Sequence, residues 1–226
     1  MVHRPGNSQT TLAPPPETPE REVPADLSRD DHPLTLLARA LDQAGGLIAG
    51  SGPEQAHLPT PCRSWTVAHL VGHLVSDLTN FATAVSGGQP DWSRPAAGID
   101  NDWAGAFAAA RRGLDEAWSS ADLQAQVPTM GGGSAPVLSR ADQQIAEFAV
   151  HAWDIARATG QSEDLDAGVA EYGLQWARRN LSPQFRGPED EGKSFGPEVP
   201  VPDDAPAYER LAGWFGRDPR WSGGTG

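Results

Sequence analysis

Leu34, Leu37, Leu41, Ala44 and Ile48 recur at spacings of three and four, which predicts an amphipathic helix over residues 33–49 running into Gly52-Pro53. The loop Leu58-Pro-Thr-Pro-Cys-Arg leads to Ser64, an N-cap for a second helix that continues to about Val85 and stops at Gly87-Gly88. Trp103, Phe107, Ala110, Leu114 and Trp118 lie on one stripe of a third helix, with Arg111, Arg112, Asp115 and Glu116 elsewhere on it. From Asp122 to Leu138 the periodicity breaks into Val127-Pro-Thr-Met-Gly-Gly-Gly-Ser-Ala-Pro-Val, the composition of a short hairpin or irregular crossover. Ser139-Arg-Ala-Asp142 reads as a capping box opening a fourth helix to Thr159, with Gly160 as its stop. A fifth stretch, 166–180, carries Val169, Tyr172 and Trp176 on one side. A Gly/Pro/acidic segment from Ser182 to Pro206 precedes a short amphipathic helix with Tyr208, Leu211, Trp214 and Phe215. The fold class is mainly α: a four-helix bundle with a long crossover between helices 3 and 4 and a short C-terminal extension.

Residues 1–30 are different in kind. The run Leu12-Ala-Pro-Pro-Pro-Glu-Thr-Pro-Glu is nearly free of aromatics and buries too little to offset the entropy of ordering, so a disordered tail is expected there. The helical domain then occupies 31–221, and 222–226 form a flexible end. A net charge of -13 with no cluster of Lys or Arg argues against a nucleic-acid partner, since phosphate contacts need a basic stripe. Arg111-Arg112 and Arg178-Arg179 are read as solvated helix faces. The single cysteine, Cys62, excludes an intramolecular disulfide and is expected to be a partly buried side chain beside a turn, with a catalytic thiol as the rival reading. No apolar run approaches the roughly 20 residues of a membrane span and no signal-peptide core is seen, so the expectation is a cytoplasmic protein without a membrane partner.

Candidate chemistry sits on the second and fourth helices. His73, with Glu147 and His151, supplies two imidazoles and a carboxylate, a set of three protein ligands that leaves a divalent metal a position for water or substrate. On the second helix the apolar stripe Val67, Leu70, Leu74, Leu78, Phe81 and Val85 is flanked by His73 and Asp77, whereas His69 lies roughly 150° from its centre. His73 is therefore the inward candidate, and a His69/His73 pair on one face is the rival. On the fourth helix Ile145, Ala149, Ala152 and Ala156 form the most apolar side, with Glu147, His151 and Asp154 largely opposite, which by pattern alone is an ordinary solvated face. Phe148, Val150 and Ile155 interleave with that polar trio and point to a helix buried on two sides. Asp77 and Asp154 are candidates either for orienting a ligating imidazole or for acting as a catalytic base, against solvated carboxylates as the plain reading. Trp65 and Trp153 read as core aromatics, with a pocket wall as the other possibility.

Three segments, Thr60-Pro-Cys-Arg-Ser-Trp-Thr-Val-Ala-His-Leu-Val-Gly-His-Leu, Glu147-Phe-Ala-Val-His-Ala-Trp-Asp-Ile-Ala-Arg-Ala-Thr-Gly, and Phe195-Gly-Pro-Glu-Val-Pro-Val-Pro-Asp-Asp-Ala-Pro with Gly216-Arg-Asp-Pro-Arg-Trp, carry a resemblance. Over 34–221 the chain resembles the actinobacterial metal-binding proteins related to the N-terminal domain of mycothiol-dependent maleylpyruvate isomerase, within the DinB-like superfamily. The resemblance implies a DinB-like bundle holding a divalent ion, usually zinc, near one end, with His73, Glu147 and His151 at the positions of the family's ligands. It also implies mycothiol, a low-molecular-weight thiol, as co-substrate for S-transfer to, or isomerisation of, a small electrophilic molecule. The full isomerase has a further C-terminal domain for which the short acidic ending here is expected to have no counterpart. The rival functions are a metal-dependent hydrolase or lyase that uses water, and a non-catalytic metal- or small-ligand-binding protein. A homodimer is the remaining partner expectation.

Overall fold

The computed structural model describes residues 32–63, 65–92, 99–128, 133–181, 183–187 and 195–223. The Pro-rich tail, the proposed cap Ser64 and the last three residues of the C-terminal end lie outside them. The elements are α1 (Pro33–Ala49), α2 (Val67–Val85), α3 (Trp103–Ser120), the strands β1 (Gln126–Pro128) and β2 (Ser134–Pro136), α4 (Ser139–Thr159), α5 (Ala167–Asn180) and α6 (Ala207–Trp214). The fold is that of a DinB-like helical bundle, α1 to α4, carrying α5 and α6 as an extension.

Helix starts follow local chemistry. Pro33 occupies the first turn of α1, where its missing N–H costs nothing, and the His32 imidazole accepts from the Leu34 amide. Thr66 caps α2, its side chain accepting from the His69 amide. The cap falls on Thr66 because the residues before it are committed to extended pairing: Pro59 bridges Thr66, and the Val67 amide donates to the Leu58 carbonyl. Asp102 and Asp166 cap α3 and α5 in the same way.

The expected capping box of α4 is not formed. Leu138 is the N-cap and makes no side-chain cap bond, Ser139 is already helical, and Asp142 is buried and accepts from the Tyr172 hydroxyl at 2.7 Å, tying α4 to α5. An inter-helix bond has taken the carboxylate that the local motif would use. Gly160 ends α4 with φ 68°, a left-handed conformation that suits glycine.

Side-chain pairs fix the helix directions. Asp42 meets Arg111 and Gly45 faces Phe107, so α1 and α3 are antiparallel. Trp118 bonds Gln144 and Phe107 contacts Phe148, so α3 and α4 are antiparallel. On α2, His73 lies beside His151 and Phe81 beside Phe148, which sets α2 against the direction of α4. It follows that α2 and α3 are parallel. The long connection expected between α3 and α4 is present too, and it carries the small antiparallel hairpin of β1 and β2, with Val127 opposite Ala135.

Helix α4 is the centre of the molecule. Almost every residue from Ile145 to Ala156 is buried, because α1 and α5 cover one side while α2, α6 and their flanking loops cover the rest. The α4–α5 contact is close enough that Gly173 approaches the Ala146 backbone: a Cβ there would sit 3.1 Å from the Ala146 Cα. Gly173→Val is therefore expected to lower stability by about 1–3 kcal/mol through overpacking, read as a lower midpoint in chemical denaturation; an unchanged midpoint would show that the two helices can move apart freely.

Candidate metal centre

The side chains that the sequence reading singled out converge from α2 and α4. His73 Nε2 lies 2.8 Å from Glu147 Oε1, and His151 Nε2 lies 3.1 Å from the same oxygen. One ligand atom from each of the three residues falls within 4.8 Å of the others. Ligand bonds of about 2.0–2.1 Å in a tetrahedral site put donor atoms about 3.3 Å apart, so this N2O set has the composition and nearly the spacing of a three-ligand metal centre. Helix geometry explains half of the arrangement: Glu147 and His151 are four residues apart and project from successive turns of one face.

Asp77 sits one turn beyond His73 on α2, with its Oδ2 3.4 Å from His73 Nε2 and only 10% of its side chain exposed. Burial and, after it, the Glu147 carboxylate push Asp77 up to about 7. Glu147 goes the other way. Burial works against its charge, but the adjoining His151 and His73 override that and hold it well below the usual carboxylate range. For His151, burial likewise opposes the charge, and Glu147 and Asp154 push it up to about 9.

Behind His151 lies a buried pair of which the helix pattern signals Asp154 but not Arg217. Asp154, fully buried, stands with Oδ2 2.9 Å from His151 Nδ1 and also accepts from the Arg217 guanidinium at 3.0 Å. Arg217 is itself buried and donates through Nη1 to the Phe215 carbonyl. Burial would raise Asp154, and the Arg217 charge reverses this, so the carboxylate stays ionised and can fix the Nδ1–H tautomer of His151. No periodicity signalled Arg217, since it follows α6 and reaches Asp154 across 63 positions of sequence. Its only sequence trace was the Gly216-Arg-Asp-Pro-Arg-Trp segment, which carries no spacing rule.

Trp65 forms a wall. Its ring centroid is 4.5 Å from that of His73 and 5.6 Å from that of His151, the latter nearly parallel at 24°. The two imidazoles meet edge to face at 5.2 Å. Trp153, by contrast, is a core aromatic with Arg157 over its ring. His69 is exposed on the far side of α2 and takes no part. Cys62 is partly buried in the loop before Trp65, where its carbonyl accepts from the Trp65 amide.

Residues 37–156 match the family described as the mycothiol maleylpyruvate isomerase N-terminal domain. The chain belongs to that family. The matched span contains His73, Asp77, Glu147, His151 and Asp154, and ends well before Arg217. Uncharacterized proteins from two strains of Mycobacterium tuberculosis are each 32% identical to this chain over 188 residues, covering 83% of this chain and 99% of theirs. Among solved structures, the mycothiol-dependent maleylpyruvate isomerase shares the fold with a TM-score of 0.60 at 17% identity, over 83% of this chain and 89% of the isomerase chain. A histidine-to-alanine variant of that enzyme aligns with a TM-score of 0.53 at 15% identity, over 66% of this chain and 72% of the other. The first of these alignments extends well past the family-matched bundle. Most of that isomerase chain therefore has a counterpart in fold here, against the expectation that the short acidic ending has none for the isomerase's further C-terminal domain.

Two outcomes follow from the charges. Arg217→Ala leaves Asp154 buried without its cation and is expected to cost about 3–5 kcal/mol in denaturant unfolding, far more than loss of an exposed arginine. For the metal-free protein, His151 is held above its ordinary value of 6.5, so its contribution is full below pH 6.5 and is lost as pH rises through about 9. The melting temperature in chelator should fall between these limits, and the fall should be absent in His151→Ala.

Proposed function

We propose that this chain is a divalent-metal enzyme in which His73, Glu147 and His151 hold the ion, zinc in view of the N2O donor set. We further assign it a low-molecular-weight thiol as co-substrate, mycothiol in view of its family, acting on a small electrophile by S-transfer or isomerisation. The observation that supports this most is the shared approach of two imidazole Nε2 atoms to one carboxylate oxygen.

A bound divalent ion supplies Lewis acidity, lowering the pKa of a coordinated thiol so that thiolate is available near neutral pH. The protein's own groups do the rest. Asp154 accepts from His151 Nδ1 and so directs the Nε2 lone pair into the site, while Arg217 keeps Asp154 anionic. That pairing suits Asp154 to orientation and not to proton transfer with a substrate, because it is fully buried behind His151. Asp77 lies on the ligand side, beside His73, and its Oδ2 is the acceptor for the proton that leaves the thiol. Trp65 excludes water from one flank. Attack of the thiolate on the electrophilic carbon forms a C–S bond. In S-transfer the bond to the leaving group breaks and the group departs with its electron pair. In isomerisation the C=C π pair moves onto the substrate's electron-withdrawing group, rotation about the resulting single bond follows, expulsion of the thiolate re-forms the double bond, and Asp77 returns its proton to sulfur.

The position of Asp77 also favours a second reading, in which it takes a proton from water in hydrolysis or lyase chemistry.

Metal analysis after reconstitution should give one equivalent of zinc in the wild type and a loss of roughly tenfold or more in affinity for each of His73→Ala, Glu147→Ala and His151→Ala. Undiminished metal in these variants would reject the site. Incubating the zinc-loaded protein with mycothiol and a panel of electrophiles should give turnover that requires both thiol and metal and falls by about 10²–10⁴-fold in Asp77→Asn. Metal-dependent turnover without thiol would transfer the assignment to water chemistry, and none of either kind would leave a binding protein.

A further inference from the structure

The two imidazoles of the site are held by different means. His151 is oriented through a hydrogen bond, its Nδ1 lying 2.9 Å from an Asp154 carboxylate that Arg217 fixes in turn. For His73, the contacts to Glu147 and Asp77 both run through Nε2, and among the described residues no hydrogen bond reaches its Nδ1. A ligating histidine ordinarily donates its second ring N–H to a partner that fixes its orientation, and among the described residues only His151 of the pair has one. What contacts the His73 ring instead is the indole of Trp65, at 4.5 Å between centroids and tilted by 55°.

The loop that carries Trp65 is built to hold the indole still. The Trp65 carbonyl accepts from both the Thr60 amide at 3.2 Å and the Thr60 hydroxyl at 2.9 Å, and the Trp65 amide donates to the Cys62 carbonyl at 2.9 Å. Thr60 is 3% exposed, so these bonds are sheltered from water. On its other side, the loop is stitched to the start of α2 by the Val67 amide to Leu58 and the Ala68 amide to Ala56. Both backbone polar groups of Trp65 are thus engaged, and a side chain with few rotatable bonds stands on a pinned residue. Its nearly parallel contact with His151 makes it a template common to both rings.

We infer that Trp65 is the positioning residue for His73, doing by ring packing what Asp154 does for His151 by hydrogen bonding, so that the 58–66 loop sets the convergence of the two Nε2 atoms. This rests on the metal reading above and extends it to residues outside the ligand set.

The test uses the full chain, stripped of metal and titrated with Co²⁺, with Zn²⁺ affinity taken by competition. Trp65→Ala should bind about tenfold to a hundredfold more weakly and Trp65→Phe within about threefold of wild type, since a phenyl face can still pack on the imidazole. In the Trp65→Ala background, His73→Ala should cost little further while His151→Ala retains most of its penalty. The visible spectrum of bound Co²⁺ should change in Trp65→Ala and be restored in Trp65→Phe, which loss of packing alone would not produce. Should Trp65→Ala not fold, Trp65→Leu, which keeps apolar volume without a flat face, is expected to show the same weakening. In metal-free protein, the His73 ring protons should be shifted upfield by the indole and should move toward unperturbed positions in Trp65→Leu. Wild-type affinity in Trp65→Ala or Trp65→Leu, or a Trp65→Phe as weak as Trp65→Ala, overturns the inference. A wild type that binds no Co²⁺ rejects the metal reading instead, and the metal-free ring shifts then decide whether Trp65 orients His73.

Discussion

A carboxylate placed between two imidazoles inside a helix interface is the constraint around which this molecule is arranged. An ionised Glu147 taken out of water is costly unless cations or protons face it, and both His73 and His151 approach the same oxygen to do so. Because those histidines come from different helices, α2 and α4 must meet in one register, and a shift of a single residue along either helix would turn a ring away by about 100°. The site and the α2–α4 packing are therefore one feature: what orders the donors also aligns the bundle.

The second layer of charge gives the C-terminal extension its role. Asp154 is completely buried, and its cation is delivered from beyond α6 by Arg217. The extension thus reaches the candidate metal centre through one guanidinium, one carboxylate and one imidazole in series. Its other contacts are conventional: Asp142 with Tyr172, Asp166 with Arg39, and the close approach of Gly173 to Ala146 hold α5 against α4 and α1. The family match covers residues 37–156, within the bundle and its connections, whereas the fold similarity to the isomerase, over 83% of this chain, continues into the extension.

Most of the bundle was legible in the chain, because each outer helix buries one face and so writes its period plainly. The bounds of α1, the end of α2 before Gly87, and the stop of α4 at Gly160 follow from apolar spacing and glycine placement. The polar side of α4 was legible only in part. By pattern alone Glu147, His151 and Asp154 form an ordinary solvated face, and the interleaved Phe148, Val150 and Ile155 were the one sign of burial; the cover itself comes from α2, Trp65 and Arg217, which no spacing on α4 announces. The caps of α2 and α4 departed from their local signals for a related reason. Ser139-Arg-Ala-Asp142 satisfies a local rule, yet Asp142 is claimed by Tyr172 from another helix, and the cap of α2 moved to Thr66 because strand-like pairing holds the residues before it. His73 was distinguishable from His69 by angle alone, since only one of them flanks the buried stripe of α2.

The most direct measurement is anomalous diffraction from crystals of the zinc-loaded protein at the zinc edge. A single strong peak is expected about 2.0–2.2 Å from His73 Nε2, Glu147 Oε1 and His151 Nε2, with Asp154 still on His151 Nδ1. A peak centred elsewhere, or none in protein whose zinc content has been verified in solution, would contradict it.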